Sequence, residues 1–194
     1  MPDATATAGD PPTRTDARRN RRRLLDAAIA LILESGGEPT RDAVAQRAGM
    51  GIATLYRHFP DRQALLRAVV LDVLDRTIEH GNVALAESAT GAEALGRYLH
   101  ASIDAGLGAL NVVHGLLDDA EWPDRRAAAG ELLERLLEAA RREGAIDPDL
   151  TTNDTALASI RFCRPLAIGL DPAGERAIAH RQLATYLDGL IASS

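Results

Sequence analysis

From residue 24 onward, apolar residues recur at spacings of three and four, the period of a helix with one buried face. Leu24, Ala27, Ala28, Leu31 and Ile32 predict a first helix that Ser35-Gly36-Gly37 ends. Ala43, Val44 and Ala48 predict a short second helix, capped by Thr40 and running through Arg47, with Gly49 in the turn after it. A third runs from about Gly51 to His58, because Pro60 forces Phe59 out of helical geometry. Asp61 then caps a long helix carrying Leu65, Leu66, Val69, Val70, Val73, Leu74 and Ile78, which ends near Gly81.

Beyond Gly81 the same period predicts helices over 91–109 and 110–120, from Asp124 to Glu143, over 154–168 with a kink at Pro165, and over 175–190. No segment alternates in the manner of a strand. The fold class expected is all-α: a three-helix N-terminal module followed by a larger helical one. The domains predicted are a disordered arm over 1–13, a first module over 14–67 and a second over 68–194. Aromatic residues are only 3% of the chain, which further disfavours sheets.

Two short helices joined by a turn containing glycine, as across residues 40–58, have the dimensions of a helix-turn-helix. An ordinary helical corner has similar spacing, so charge matters here. The chain carries a net −6, a poor match to a polyanion, but the charge is segregated. Residues 14–67 hold eleven arginines against six acids, and residues 68–194 hold eleven against twenty. One basic end on an acidic body suits a protein of which one module meets nucleic acid. Arg18 and Arg22, within the cluster that opens the first helix, can reach phosphates or the minor groove.

Catalytic chemistry finds little support. The five histidines lack HExxH or four-residue spacing, and neither a P-loop nor a GxGxxG run occurs. Cys163 stands alone on an apolar pattern, so no disulfide within the chain is available. No cofactor or metal is expected. No run of 18 uncharged apolar residues suggests a membrane span, and the N-terminus lacks a secretory pattern. A cytoplasmic protein is expected, on the nucleoid when bound to DNA.

The run Leu55-Tyr56-Arg57-His58-Phe59-Pro60, within TLYRHFPDRQALL and preceded by TRDAVAQRAGM, resembles the signature of the TetR family of bacterial transcription regulators. The likeness covers residues 24–66. It implies that Thr40, Thr54, Tyr56, His58 and Arg62 face phosphate. Arg41, Gly51, Ile52 and Arg57 complete the expected DNA-facing set. Where relatives carry a polar pair and glycine before the Thr54 position, this chain has Gly51-Ile52-Ala53, so base preference is not legible. Ile52 can press on a thymine methyl but makes no hydrogen bond from its side chain.

The resemblance further implies a homodimer on double-stranded DNA, joined through the last two helices, with Ile160, Leu183, Leu187 and Leu190 as interface candidates. It implies a small-molecule effector in a pocket between the middle helices, for which Tyr98, His114, Leu117, Trp122 and Phe162 are candidates. Release from a palindromic operator by the effector is the expected mode of repression. An activator or an effector-independent regulator fits the same residues; a helical enzyme or adaptor fits them less well.

Overall fold

The computed structural model describes residues 14–113, 116, 122–166 and 169–192. Among these residues there are nine helices and no strand: α1 (Arg14–Ser35), α2 (Arg41–Arg47), α3 (Ile52–His58), α4 (Arg62–Glu87), α5 (Gly91–Asp104), α6 (Gly108–Val113), α7 (Pro123–Arg142), α8 (Thr152–Cys163) and α9 (Pro172–Ala192). The all-α expectation holds. The expected arm over 1–13 lies outside the described residues, as does most of the helix expected over 110–120.

Side-chain caps set several helix starts. Thr40 Oγ1 accepts from the Ala43 amide at 3.2 Å, and Asp61 Oδ1 accepts from the Ala64 amide at 2.7 Å. Gly49 sits at φ 63, the left-handed conformation that a tight turn between α2 and α3 requires. Thr151 and Asp154 form a reciprocal capping box at α8.

Four boundaries differ from expectation. α4 does not stop at Gly81 but continues to Glu87. A Cβ at Gly81 would lie 2.5 Å from Leu132 and 2.9 Å from Tyr98, so this glycine serves close packing against α7 and α5. The helix expected over 91–109 is broken after Asp104, because Gly106 adopts φ +85. Asp124 lies in the first turn of α7 instead of capping it; Trp122 holds the cap position without a side-chain bond. α8 ends at Cys163, since the residue before Pro165 is driven to an extended conformation, and so Pro165 kinks nothing.

α4 packs against α1, α5, α6 and α7 and joins two cores. The first contains Leu24, Ile32, Val44, Leu55, Phe59, Leu66 and Val69 from α1–α4, together with Ala109, Val113 and Trp122. Leu55 and Phe59 are 0% and 1% exposed; full burial of such side chains contributes about 1.5–3 kcal/mol each. The second core contains Leu95, Tyr98 and Leu99 of α5, Leu132, Leu133, Leu136 and Leu137 of α7, and Leu183 of α9. No helix among the described residues is long and apolar enough to cross a membrane.

Candidate nucleic-acid interface and central cavity

The burial of Leu55 fixes the roll of α3. With that side chain inward, Ile52, Ala53, Tyr56 and Arg57 are turned to solvent, Ile52 and Tyr56 being 36% and 42% exposed. A Cβ at Gly51 would meet nothing within 4 Å, so the entrance of α3 is open as well. Arg41, on α2, lays its guanidinium 4.7 Å from the Tyr56 ring centroid, which groups α2 and α3 side chains on one face. Arg57 folds back on α3, with Nε donating to Ala53 O at 3.3 Å and Nη2 to Thr54 Oγ1 at 3.4 Å.

His58 is half-buried, and burial, with Arg21 and Arg57 nearby, holds its pKa below the ordinary value. Both effects favour the uncharged imidazole in the free protein. Arg62 is held by both carboxylate oxygens of Glu38, and Arg47 by Glu34. These acids occupy two arginines of the basic module in the free protein. Arg22 pairs with Asp26 at 3.3 Å and Asp72 at 3.2 Å, and Arg76 joins the same acids, which ties α1 to α4. Arg18, one turn earlier on α1, is exposed.

Between the two cores lies a cavity of about 520 Å³ whose wall is mainly apolar. Val70 and Trp122 belong to the first core, Tyr98 and Leu133 to the second, and all four line the cavity. Burial pushes the Tyr98 phenol up to about 12, so it stays neutral. Of the five residues expected at a pocket, Tyr98 and Trp122 line this one. Phe162 does not; it packs on Tyr186 at 5.3 Å between centroids, beside a small crevice near Cys163. His114 and Leu117 lie outside the described residues.

Thr77, Asn111, Thr152 and Ser159 also line the cavity and were missed from the sequence. A hydroxyl in a helix's apolar stripe, such as Thr77 one turn after Val73, was the available signal. Ile160, expected at a dimer interface, contributes to the cavity wall and is 37% exposed. Leu183, expected on that interface, is 1% exposed within its own chain and faces inward. Leu187 and Leu190 are half-buried on α9. Among the described residues, the most exposed large apolar side chains near α8 and α9 are Leu157, Leu166 and Leu170, at 46%, 53% and 45%.

An all-helical body carrying a capped helix-turn-helix, with α3 presented outward, defines a DNA-binding type of regulator. Residues 24–69 match the family of bacterial regulatory proteins, tetR family. Over 88% of this chain and 98% of the other, the fold is similar to a TetR transcriptional regulator of Streptomyces coelicolor, at 31% identity and a TM-score of 0.64. A TetR transcription regulatory protein of Mycobacterium vanbaalenii is 30% identical over 92% of this chain and 98% of its own, at a TM-score of 0.66. The chain belongs to the TetR family of transcriptional regulators, and these relatives are regulators, not enzymes. The HTH-type transcriptional repressor KstR of Rhodococcus jostii is 38% identical over 80 residues, 40% of this chain but only 38% of that protein's length.

Proposed function

We propose that this protein is a dimeric repressor that docks α3 into the major groove of a palindromic operator and is released by a small molecule in the central cavity. The observation that carries the DNA half is the outward face of α3, with Ile52, Tyr56 and Arg57 exposed and Arg41 stacked beside Tyr56. In this reading Thr40, Arg41, Thr54, Tyr56, Arg57, His58 and Arg62 meet phosphates, with Arg18 reaching from α1. Gly51 and Ile52 approach the base edges. Arg22 acts mainly through its ion network with α4. Repression is the mode named for the Rhodococcus jostii relative, which matches over 80 residues.

Residues 14–67 form the DNA-binding module and 68–194 the effector and dimerisation module, the protein working in the cytoplasm on the nucleoid. A two-fold dimer spaces two α3 helices about 34–36 Å apart, one turn of DNA. Leu157 on α8, and Leu166 and Leu170 between α8 and α9, are exposed apolar side chains that a second copy would cover. An effector acts by binding better to the spacing that does not fit DNA, with α4 carrying the change. The test is fluorescence anisotropy with duplexes tiled from the region upstream of the protein's own gene. Salt-dependent binding with a preferred fragment supports the reading. Absence of salt-dependent binding to any fragment would falsify it.

A further inference from the structure

The hydrogen-bond inventory of the cavity wall specifies its guest more closely than its volume does, and this rests on the reading of the cavity as an effector site. A hydroxyl has one hydrogen to give and two lone pairs to receive with. Thr77 gives its hydrogen to the Val73 carbonyl at 2.8 Å, and Ser159 gives its own to the Thr155 carbonyl at 2.8 Å. Thr152 donates to the Glu134 carboxylate. Asn111 donates through Nδ2 to the Ile160 carbonyl at 3.2 Å. With those hydrogens committed inside the protein, the three hydroxyls have only lone pairs to offer a guest, whereas Asn111 keeps its carboxamide oxygen and one N–H, and Tyr98, Trp122 and Asn153 bring further polar hydrogens to the wall. Thr77 and Ser159 are 2% and 6% exposed, so water does not compete freely there.

Charge narrows the class further. Among the described lining residues there is no carboxylate, and the only ionic one is Arg126. It is exposed at the rim and already interacts with another group of the protein. Glu134, behind Thr152, is held below the usual carboxylate range by Thr152 and Arg141 and is thus already compensated. A cation entering this space finds no described counter-charge, and an anion finds no charged partner but Arg126 at the rim. Either would lose hydration that the described wall does not fully replace.

We propose that the cavity binds a neutral, largely apolar molecule bearing a hydroxyl or N–H group, received by the lone pairs of Thr77, Asn111, Thr152 and Ser159. The cavity's volume is within the ~300–1,000 Å³ usual for small-molecule sites. The test uses the full chain and four probes on one skeleton: a bicyclohexyl alcohol, its methyl ether, the matching carboxylate and the matching trimethylammonium salt. Trp122 is the chain's single tryptophan and lines the cavity, so its fluorescence reports occupancy.

The alcohol should bind about 3- to 10-fold tighter than the ether, the worth of one neutral hydrogen bond. A folded Thr77→Val/Ser159→Ala variant should lose that preference while still binding the ether. Equal binding of alcohol and ether, or tighter binding of either ion, overturns the donor assignment but leaves a ligand site. If none of the four probes changes Trp122 fluorescence or the melting temperature, the effector reading itself falls.

Discussion

Replacing Glu38 by Gln probes how the free protein holds its DNA-facing charge. Arg62 lies in the proposed phosphate-facing set, yet both oxygens of Glu38 already engage it. Glu38 raises the pKa of Arg62 through that hydrogen bond, so the guanidinium is firmly cationic, and a phosphate must compete with a carboxylate for it. In the Gln variant the competitor is neutral, and Arg62 can neutralise a phosphate outright. Each phosphate neutralised on B-DNA steepens log K against log salt by about 0.9, hence about 1.8 for a two-fold dimer. Over a fourfold rise in salt, from about 50 to 200 mM, that amounts to a roughly 12-fold greater loss of affinity than the wild type suffers. Anisotropy titrations with a random-sequence duplex measure the slope without knowledge of the operator. The E38Q/R62Q double variant should return to the slope of R62Q alone. An unchanged or shallower slope in E38Q would refute competition and assign Glu38 to positioning Arg62 for its phosphate.

Other predictions follow from packing, titration and assembly. A Cβ at Gly108 would lie 1.7 Å from the Cys163 carbonyl oxygen, which no rotamer relieves. Gly108→Ala should cost about 3 kcal/mol, the upper end for overpacking, and lower the melting temperature by roughly 6–12 °C. Gly130→Ala, in open space on α7, should instead stabilise by about 0.5–1 kcal/mol, and a loss there would contradict the packing described. His58 and His100 both have pKa values depressed chiefly by burial, so the unfolded chain takes up their protons more readily. Stability should therefore be full above about pH 6.5 and drain as pH falls through the depressed values, in a thermal-melt series that His100→Gln flattens. His100 Nδ1 sits 2.8 Å from His180 Nδ1, and His180 Nε2 lies 3.1 Å from Asp104, so a second proton on the pair would set two donors face to face. Leu166→Glu should convert the proposed dimer to monomer in light scattering while leaving helicity intact; a dimer of unchanged size would place the interface elsewhere.

The start of the chain was more legible than the rest because its signals are local. Thr40, Gly49, Pro60 and Asp61 each act within a few residues. In the second half, the misread residues take their meaning from distant neighbours. Gly81 reads as a stop, but Leu132 and Tyr98, far along the chain, make it a packing site. Leu183 and Ile160 sit on similar apolar patterns, yet Leu183 of α9, a helix packed on α5 and α8, is buried in its own chain's core while Ile160 borders a cavity. Periodicity marks which residues leave water; it does not say whether they pack on their own chain, a second copy or a guest.

Trp122, Ala109 and Val113 pack with α1–α4, although they come from well beyond residue 67. The modules are thus separable on paper at that residue but not in substance. A chimaera that transplants residues 14–67 onto a foreign effector body would leave behind part of the surface against which that head folds. Exchange of operator preference between relatives should succeed when α6 and the tryptophan travel with the head. By the same reasoning, inheritance in this lineage should move the two together, as one unit that the linear order of the chain conceals.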